Sequence, residues 1–160
     1  MTAKVEVSLT INGETRRGLA EPRMLLADFL RHELGLTGAH IGCEHGVCGA
    51  CTILIDGRTA RSCLHFAVAL DGAVIDTVEG LAGPDELHPI QEAFHRNHAL
   101  QCGYCTSGFL LTTLEFLRRN PDPDESEVRR ALTNNLCRCT GYANIVKAVT
   151  EAAAALRAAG

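Results

Sequence analysis

Gly42-Cys43-Glu44-His45-Gly46-Val47-Cys48-Gly49-Ala50-Cys51 is the stretch on which the reading of this chain turns. Its cysteines follow C-x4-C-x2-C, and Cys63 completes a tetrad with eleven residues between it and Cys51. That is a ligand spacing of a [2Fe–2S] site. Three thiolates come from one tight loop and the fourth from elsewhere. The loop is rich in small residues for a physical reason. Its backbone must curl closely around a compact inorganic core and aim several N–H groups at the sulfurs. Glycine tolerates both the unusual dihedrals and the close approach. Such N–H···S contacts favour the reduced, more negative state.

The other four cysteines form a second group: Cys102-x2-Cys105, thirty-one residues, then Cys137-x-Cys139. All eight cysteines fall into the two tetrads. From spacing alone the second tetrad admits two readings, a four-cysteine zinc site or another iron–sulfur site. Structural zinc pairs usually have two to four intervening residues, so C-x-C favours iron–sulfur. A disulfide scaffold fits poorly, because such scaffolds are small, secreted and loop-rich. This chain has 160 residues and 46% hydrophobic content. Its N-terminus, Met1-Thr2-Ala3-Lys4-Val5-Glu6, has no apolar leader, and no stretch has the apolar length of a membrane span. The expectation is a soluble protein of a reducing, cytoplasmic compartment, where clustered cysteines mean metal or redox chemistry. The seven histidines form no Cys-x-His arrangement and read as surface or packing residues.

Net charge is −4, which with no basic patch argues against nucleic acid as a partner. Aromatic content of 4%, without tryptophan, argues against stacking platforms. Each half alone is marginal in size, and cluster binding would contribute folding energy.

Along the chain, Val5, Val7, Leu9 and Ile11 alternate with polar residues as in a half-buried strand. Asn12-Gly13 predicts a two-residue turn, with 14–19 returning. Residues 24–34 show helical spacing, with Leu26, Phe29, Leu30 and Leu34 on one face and Gly35 as a stop. Residues 52–55 and 58–61 predict a second hairpin around Asp56-Gly57, with Cys63 at its exit, and 73–78 a further strand. Character changes near Gly80-Leu81-Ala82-Gly83-Pro84. Beyond it the patterns predict helices over 89–98, 103–119, 124–134 and 141–158. Asp124 with Glu127 makes a capping box, and Ile145, Val149, Ala152 and Leu156 form the stripe of the last helix. The expected class is α+β: strands around one helix, then a small bundle whose helix starts bring positive dipole ends towards the second tetrad.

With both tetrads placed, the chain resembles the small iron–sulfur subunit of the molybdenum hydroxylases, the superfamily of xanthine dehydrogenase, CO dehydrogenase and aldehyde oxidoreductase. The resemblance rests on Gly38-Ala39-His40-Ile41-Gly42-Cys43, Cys48-Gly49-Ala50-Cys51-Thr52, Gln101-Cys102-Gly103-Tyr104-Cys105-Thr106 and Asn135-Leu136-Cys137-Arg138-Cys139-Thr140-Gly141-Tyr142. It implies a plant-ferredoxin-like β-grasp domain over residues 1–80 and a four-helix [2Fe–2S]-binding domain over 81–160. It implies one [2Fe–2S] cluster on Cys43, Cys48, Cys51 and Cys63 and another on Cys102, Cys105, Cys137 and Cys139. It further implies a large molybdopterin-binding subunit and a medium FAD-binding subunit as partners, in a dimer of heterotrimers. Electrons would run from the pterin, through the helical-domain cluster and the ferredoxin-like cluster, to FAD. Gln101 and the Cys139 region would lie against the pterin. One position departs from the pattern: the family often has proline where Ser107 stands, and a serine at a helix start is expected to cap.

Among individual residues, Arg138 reads equally as a charge that sets cluster potential or as a partner contact. Glu44 and His45 read as solvated or partner-facing, and Asn134-Asn135 as turn geometry ahead of Cys137. No constellation of catalytic acid, base or nucleophile stands out, so substrate chemistry belongs to a partner. A freestanding two-cluster ferredoxin is the alternative; it would favour an acidic run near the first tetrad, and none is present. A zinc-bound interaction module is a third reading.

Overall fold

In a computed structural model, described for residues 3–83 and 85–159, strands dominate the first half of the chain and helices the second, an α+β arrangement. Met1 and Thr2 of the N-terminal reading, and Pro84 of the junction, lie outside the described residues.

The sheet has the order β2-β1-β5-β3-β4. Strands β1 (Val5–Ile11) and β2 (Glu14–Ala20) pair antiparallel through the expected turn, with Asn12 at φ 51° and Gly13 at φ 83°. Two successive positive φ values match the strand twist, which is why Asn-Gly serves here. Strands β3 (Thr52–Ile55) and β4 (Arg58–Arg61) form the second hairpin in the same way, with Asp56 at φ 50° and Gly57 at φ 79°. Strand β5 (Val74–Asp76) joins the hairpins, parallel to β1 and antiparallel to β3.

The segment expected as one helix is instead a short α1 (Leu26–Asp28) that widens at once into a π-helical turn, Phe29–Glu33. Leu34 N–H reaches back to Phe29 C=O at 3.1 Å, and Gly35 at φ 71° ends the run. Leu26, Phe29 and Leu30 are fully buried against Val7, Leu9, Ile11, Ile53 and Ile75 of the sheet. Gly18 of β2 makes the approach possible, since a Cβ there would lie 2.9 Å from the Phe29 ring.

After the sheet come α2 (Pro89–Arg96), α3 (Thr106–Arg119), α4 (Glu125–Leu132) and α5 (Ala143–Ala159). Each lies within its expected region to within a few residues, and the differences have causes. Helix α3 starts after Gly103, held at φ 82°, and α5 starts after Gly141 and Tyr142 at φ 67° and 68°. Helix α4 carries the expected capping box, Glu127 N–H to Asp124 at 2.8 Å and Asp124 N–H to Glu127 at 2.9 Å. Helix α2 has an unforeseen one, in which His88 Nδ1 accepts from Ile90 N–H and Gln91 answers to His88 N–H. Ile90, Phe94, Phe109, Val128, Ile145 and Val149 fill the space between these helices.

Strand β3 belongs to both cores. Successive strand residues face opposite ways: Ile53 packs in the sheet–α1 core and Leu54 in the helical core. The halves therefore meet along a buried strand, reinforced where Thr59 donates through N–H and hydroxyl to Glu115 of α3, at 3.1 and 2.6 Å.

Candidate iron–sulfur centres

The first cysteine loop leaves the α1 region and returns into β3. Its curl needs positive φ at Glu44 (55°), Gly46 (78°) and Gly49 (74°). Space is equally restrictive: a Cβ on Gly46 would lie 2.5 Å from Leu64, and one on Gly49 2.6 Å from the Asn134 carbonyl oxygen. The curl turns the N–H groups of His45 and Cys48 towards Cys43 Sγ, at 3.4 and 3.3 Å. Those two donors, Cys48 first, bring the Cys43 thiol down to about 6. Cys63 lies in the turn after β4. There Ser62 clasps Cys51 C=O through both N–H (3.2 Å) and Oγ (2.8 Å), which sets Cys63 beside Cys51. Both of these cysteines are buried, whereas Cys43 and Cys48 are partly exposed. Burial, then the neighbouring Cys51, pushes the Cys63 thiol up to about 11.

In the second set, Cys105 immediately precedes α3 and Cys137 and Cys139 lie in the loop before α5. Cys102 and Cys139 are exposed, with sulfurs 3.5 Å apart. Cys105 and Cys137 are half-buried at the edge of the helical core and touch each other. Burial drives the Cys105 thiol up to about 12. Burial also works against the Cys137 thiolate, but the Thr140 hydroxyl and N–H, at 3.1 and 3.4 Å from its sulfur, outweigh it and the thiol is lowered. Gln101 and Arg138 flank this set and are exposed.

The thiols thus meet two by two: Cys43 with Cys48, Cys51 with Cys63, Cys102 with Cys139, Cys105 with Cys137. One tetrahedral ion would draw four sulfurs to a single point, whereas a two-iron cluster takes one pair on each iron. The donor set, soft thiols in pairs with amides aimed at sulfur, fits the two-iron group.

The two sets are joined by hydrogen bonds that sequence reasoning missed. Leu136 N–H donates to Cys48 C=O at 2.9 Å, one residue from Cys137. Asn135, read from sequence as turn geometry, is buried; its Nδ2 donates to Gly49 C=O at 3.1 Å and its Oδ1 accepts from Thr112 at 2.8 Å. Tyr104, between Cys102 and Cys105, donates to Ile41 C=O at 2.7 Å and stacks on His40 at 4.6 Å. A buried Asn two residues before a cysteine leaves no periodic signal, so its partner cannot be read along the chain. Ser107 corrects an expectation. It lies inside α3 rather than at its cap, buried, with Oγ lacking a partner among the described residues. A proline in its place would forgo no cap.

A sheet and helices that hold paired thiols in two adjoining loops define an iron–sulfur electron carrier. Comparison with known proteins agrees. A 2Fe-2S iron–sulfur cluster binding domain matches residues 9–82 and a [2Fe-2S] binding domain residues 77–150. The small subunit of nicotine 6-hydroxylase from Paenarthrobacter nicotinovorans is 54% identical, over 93% of this chain and 90% of its own. Subunit gamma of caffeine dehydrogenase from Pseudomonas sp. (strain CBB1) is 53% identical, over 89% and 87%. A crystal structure of quinoline 2-oxidoreductase from Pseudomonas putida 86 superposes with a TM-score of 0.94, at 52% identity and 98% coverage of both chains. The chain belongs to the small iron–sulfur subunits of the molybdenum hydroxylases. Its part in such an oxidoreductase is electron transfer. Among the described residues no helix is long and apolar enough to cross a membrane.

Proposed function

We propose that Cys43, Cys48, Cys51 and Cys63 hold one [2Fe–2S] cluster and Cys102, Cys105, Cys137 and Cys139 the other. The pairing of the eight thiols two by two carries this reading. When bound, each cluster supplies a one-electron acceptor and donor. The chain's own residues do the rest. The curled loop aims His45 and Cys48 amides at sulfur. Burial around Cys51 and Cys63 keeps water from one side of the first site. The Cys48–Leu136 hydrogen bond gives a direct hydrogen-bonded link between the two sites, in place of the long covalent route along the chain.

In this reading residues 1–80 form a ferredoxin-type β-grasp domain and 81–160 a four-helix cluster domain. The partners are a large molybdopterin-binding subunit and a medium FAD-binding subunit, in a dimer of heterotrimers in the cytoplasm. Gln101 and Cys139, both exposed beside the second site, face the pterin. Electrons enter at the second site and leave from the first towards FAD. The names of the relatives support partnership, since each is a subunit of a hydroxylase or dehydrogenase.

Metal analysis of the chain prepared without oxygen tests this. About four iron and about four acid-labile sulfide per chain are expected, in a red-brown protein. Stoichiometric zinc with negligible iron would defeat the reading.

A further inference from the structure

Three hydrogen bonds close a ring around Cys137. Tyr142 N–H donates to Thr140 Oγ1 at 3.2 Å, the Thr140 hydroxyl donates to Cys137 Sγ at 3.1 Å, and Cys137 N–H donates to the Tyr142 hydroxyl at 2.9 Å. Thr140 N–H adds a second contact to the same sulfur, at 3.4 Å. The ring imposes an uncommon backbone. Tyr142 sits at φ 68°, a region that a bulky side chain occupies only when its surroundings demand it. Its aromatic ring is anchored edge-on against the buried Phe109, with centroids 6.3 Å apart.

No other cysteine among the described residues is served this way. Cys43 Sγ receives backbone amides of His45 and Cys48, and Cys139 meets only Cys102. Among the described residues, the Thr140 hydroxyl is the one hydroxyl that donates to a cysteine sulfur. The donors to sulfur at the first site are loop amides, whereas the second has a side-chain donor that a single substitution can change.

We propose that Thr140, held in place by Tyr142, raises the reduction potential of the cluster on Cys102, Cys105, Cys137 and Cys139. This rests on the ligand reading above. Reduction adds one electron, taking one iron from ferric to ferrous and making the cluster and its thiolates more negative by one charge. A hydrogen bond donated to a sulfur strengthens as that sulfur gains charge, so it favours the reduced state. Thr140 is thus a positioning residue, acting on the iron through the Cys137 sulfur.

The test is a dithionite titration of the assembled complex, following each cluster by its own paramagnetic signal. Thr140→Val removes the hydroxyl at nearly constant shape. It is expected to shift the second cluster's reduction equilibrium about tenfold towards oxidised, about 59 mV more negative for one electron. The first cluster should not move, and Thr140→Ser should stay at the wild-type value. An unmoved potential in Thr140→Val, or an equal shift of both clusters, overturns the proposal. Cys137→Ala, which leaves no side-chain atom able to ligate iron, separates the two levels of argument. Full iron content in that variant overturns the ligand reading itself, whereas loss of the second cluster there, with an unmoved potential in Thr140→Val, overturns only the role of Thr140. If Thr140→Val does not hold its cluster, the unmodified complex decides the matter. Brief exchange into D2O before freezing should remove a strongly coupled proton from the second cluster alone, because hydroxyls exchange faster than amides. Retention of every coupled proton overturns the proposal.

Discussion

At the scale of single residues, the contact between the two cysteine loops depends on groups that carry no chemistry of their own. Gly108 sits in α3 where alanine would ordinarily add about 1 kcal/mol of helix stability over glycine. Here a Cβ would lie 2.2 Å from the Gly49 carbonyl oxygen and 2.8 Å from Asn135 Nδ2. The Gly49 carbonyl also accepts from Asn135 and from Thr52, so it has little freedom to retreat. Gly108→Ala is therefore expected to reverse the usual sign and destabilise by about 1–3 kcal/mol, through forced displacement of a packed backbone. Chemical denaturation checks the sign, and iron content shows whether the first site loosens with it. A stabilised variant would mean that the loops are not in the contact described.

At the scale of elements, β4 and α3 are coupled by one carboxylate. Glu115 is only 15% exposed in its side chain. Burial works against its charged form, but the hydroxyl and N–H of Thr59, aided by Arg119, outweigh that and hold it below the ordinary carboxylate range. The sign of the pH effect follows from a folded-state value lower than the unfolded one. The charged carboxylate contributes its full stability above the unfolded value, and the contribution is lost as pH falls through the depressed folded value. Glu115→Gln should therefore be less stable than the parent at neutral pH, with the gap closing on acidification. Urea unfolding at a series of pH values, with iron checked at each, measures this; a gap independent of pH would assign the effect to packing instead. The same seam explains why β3 is short yet buried on both faces, with Leu54 facing the helices while Ile53 faces α1.

At the scale of the whole molecule, the proposed reading puts the two sites in series, the second before the first. Each site includes a pair of thiols drawn from separate segments of the chain: Cys51 with Cys63 in the first, and Cys102 with Cys139 in the second. Cluster binding therefore closes loops and contributes to folding, so complex integrity must be verified in any ligand variant. With assembly intact, Cys48→Ser should leave the second cluster reducible by substrate while flavin reduction fails. Cys105→Ser should block substrate-driven reduction of both the remaining cluster and the flavin. Rapid-freeze spectroscopy of the two variant complexes reads the order directly. Normal flavin reduction in the Cys48 variant would break the proposed series.

The sequence by itself determined what depends on local spacing and period. The positive-φ bends at Gly46 and Gly49 of the cysteine loop, Asn12-Gly13, the alternation of Val7, Leu9 and Ile11, and the Asp124–Glu127 box each have a cause within a few residues, and each is found as read. Local pattern was blind where local rules compete. Residues 29–33 widened into a π turn because Phe29 and Leu30 had to reach the sheet core under Gly18. Ser107 proved to be an interior residue because α3 begins at Thr106. Only the tertiary structure decided how the thiols pair and which residues bind one loop to the other. Asn135 meets Gly49 across 86 residues, and Cys139 meets Cys102 across 37. Contacts at such separations follow from packing of the helices on β3, and no periodicity along the chain records them.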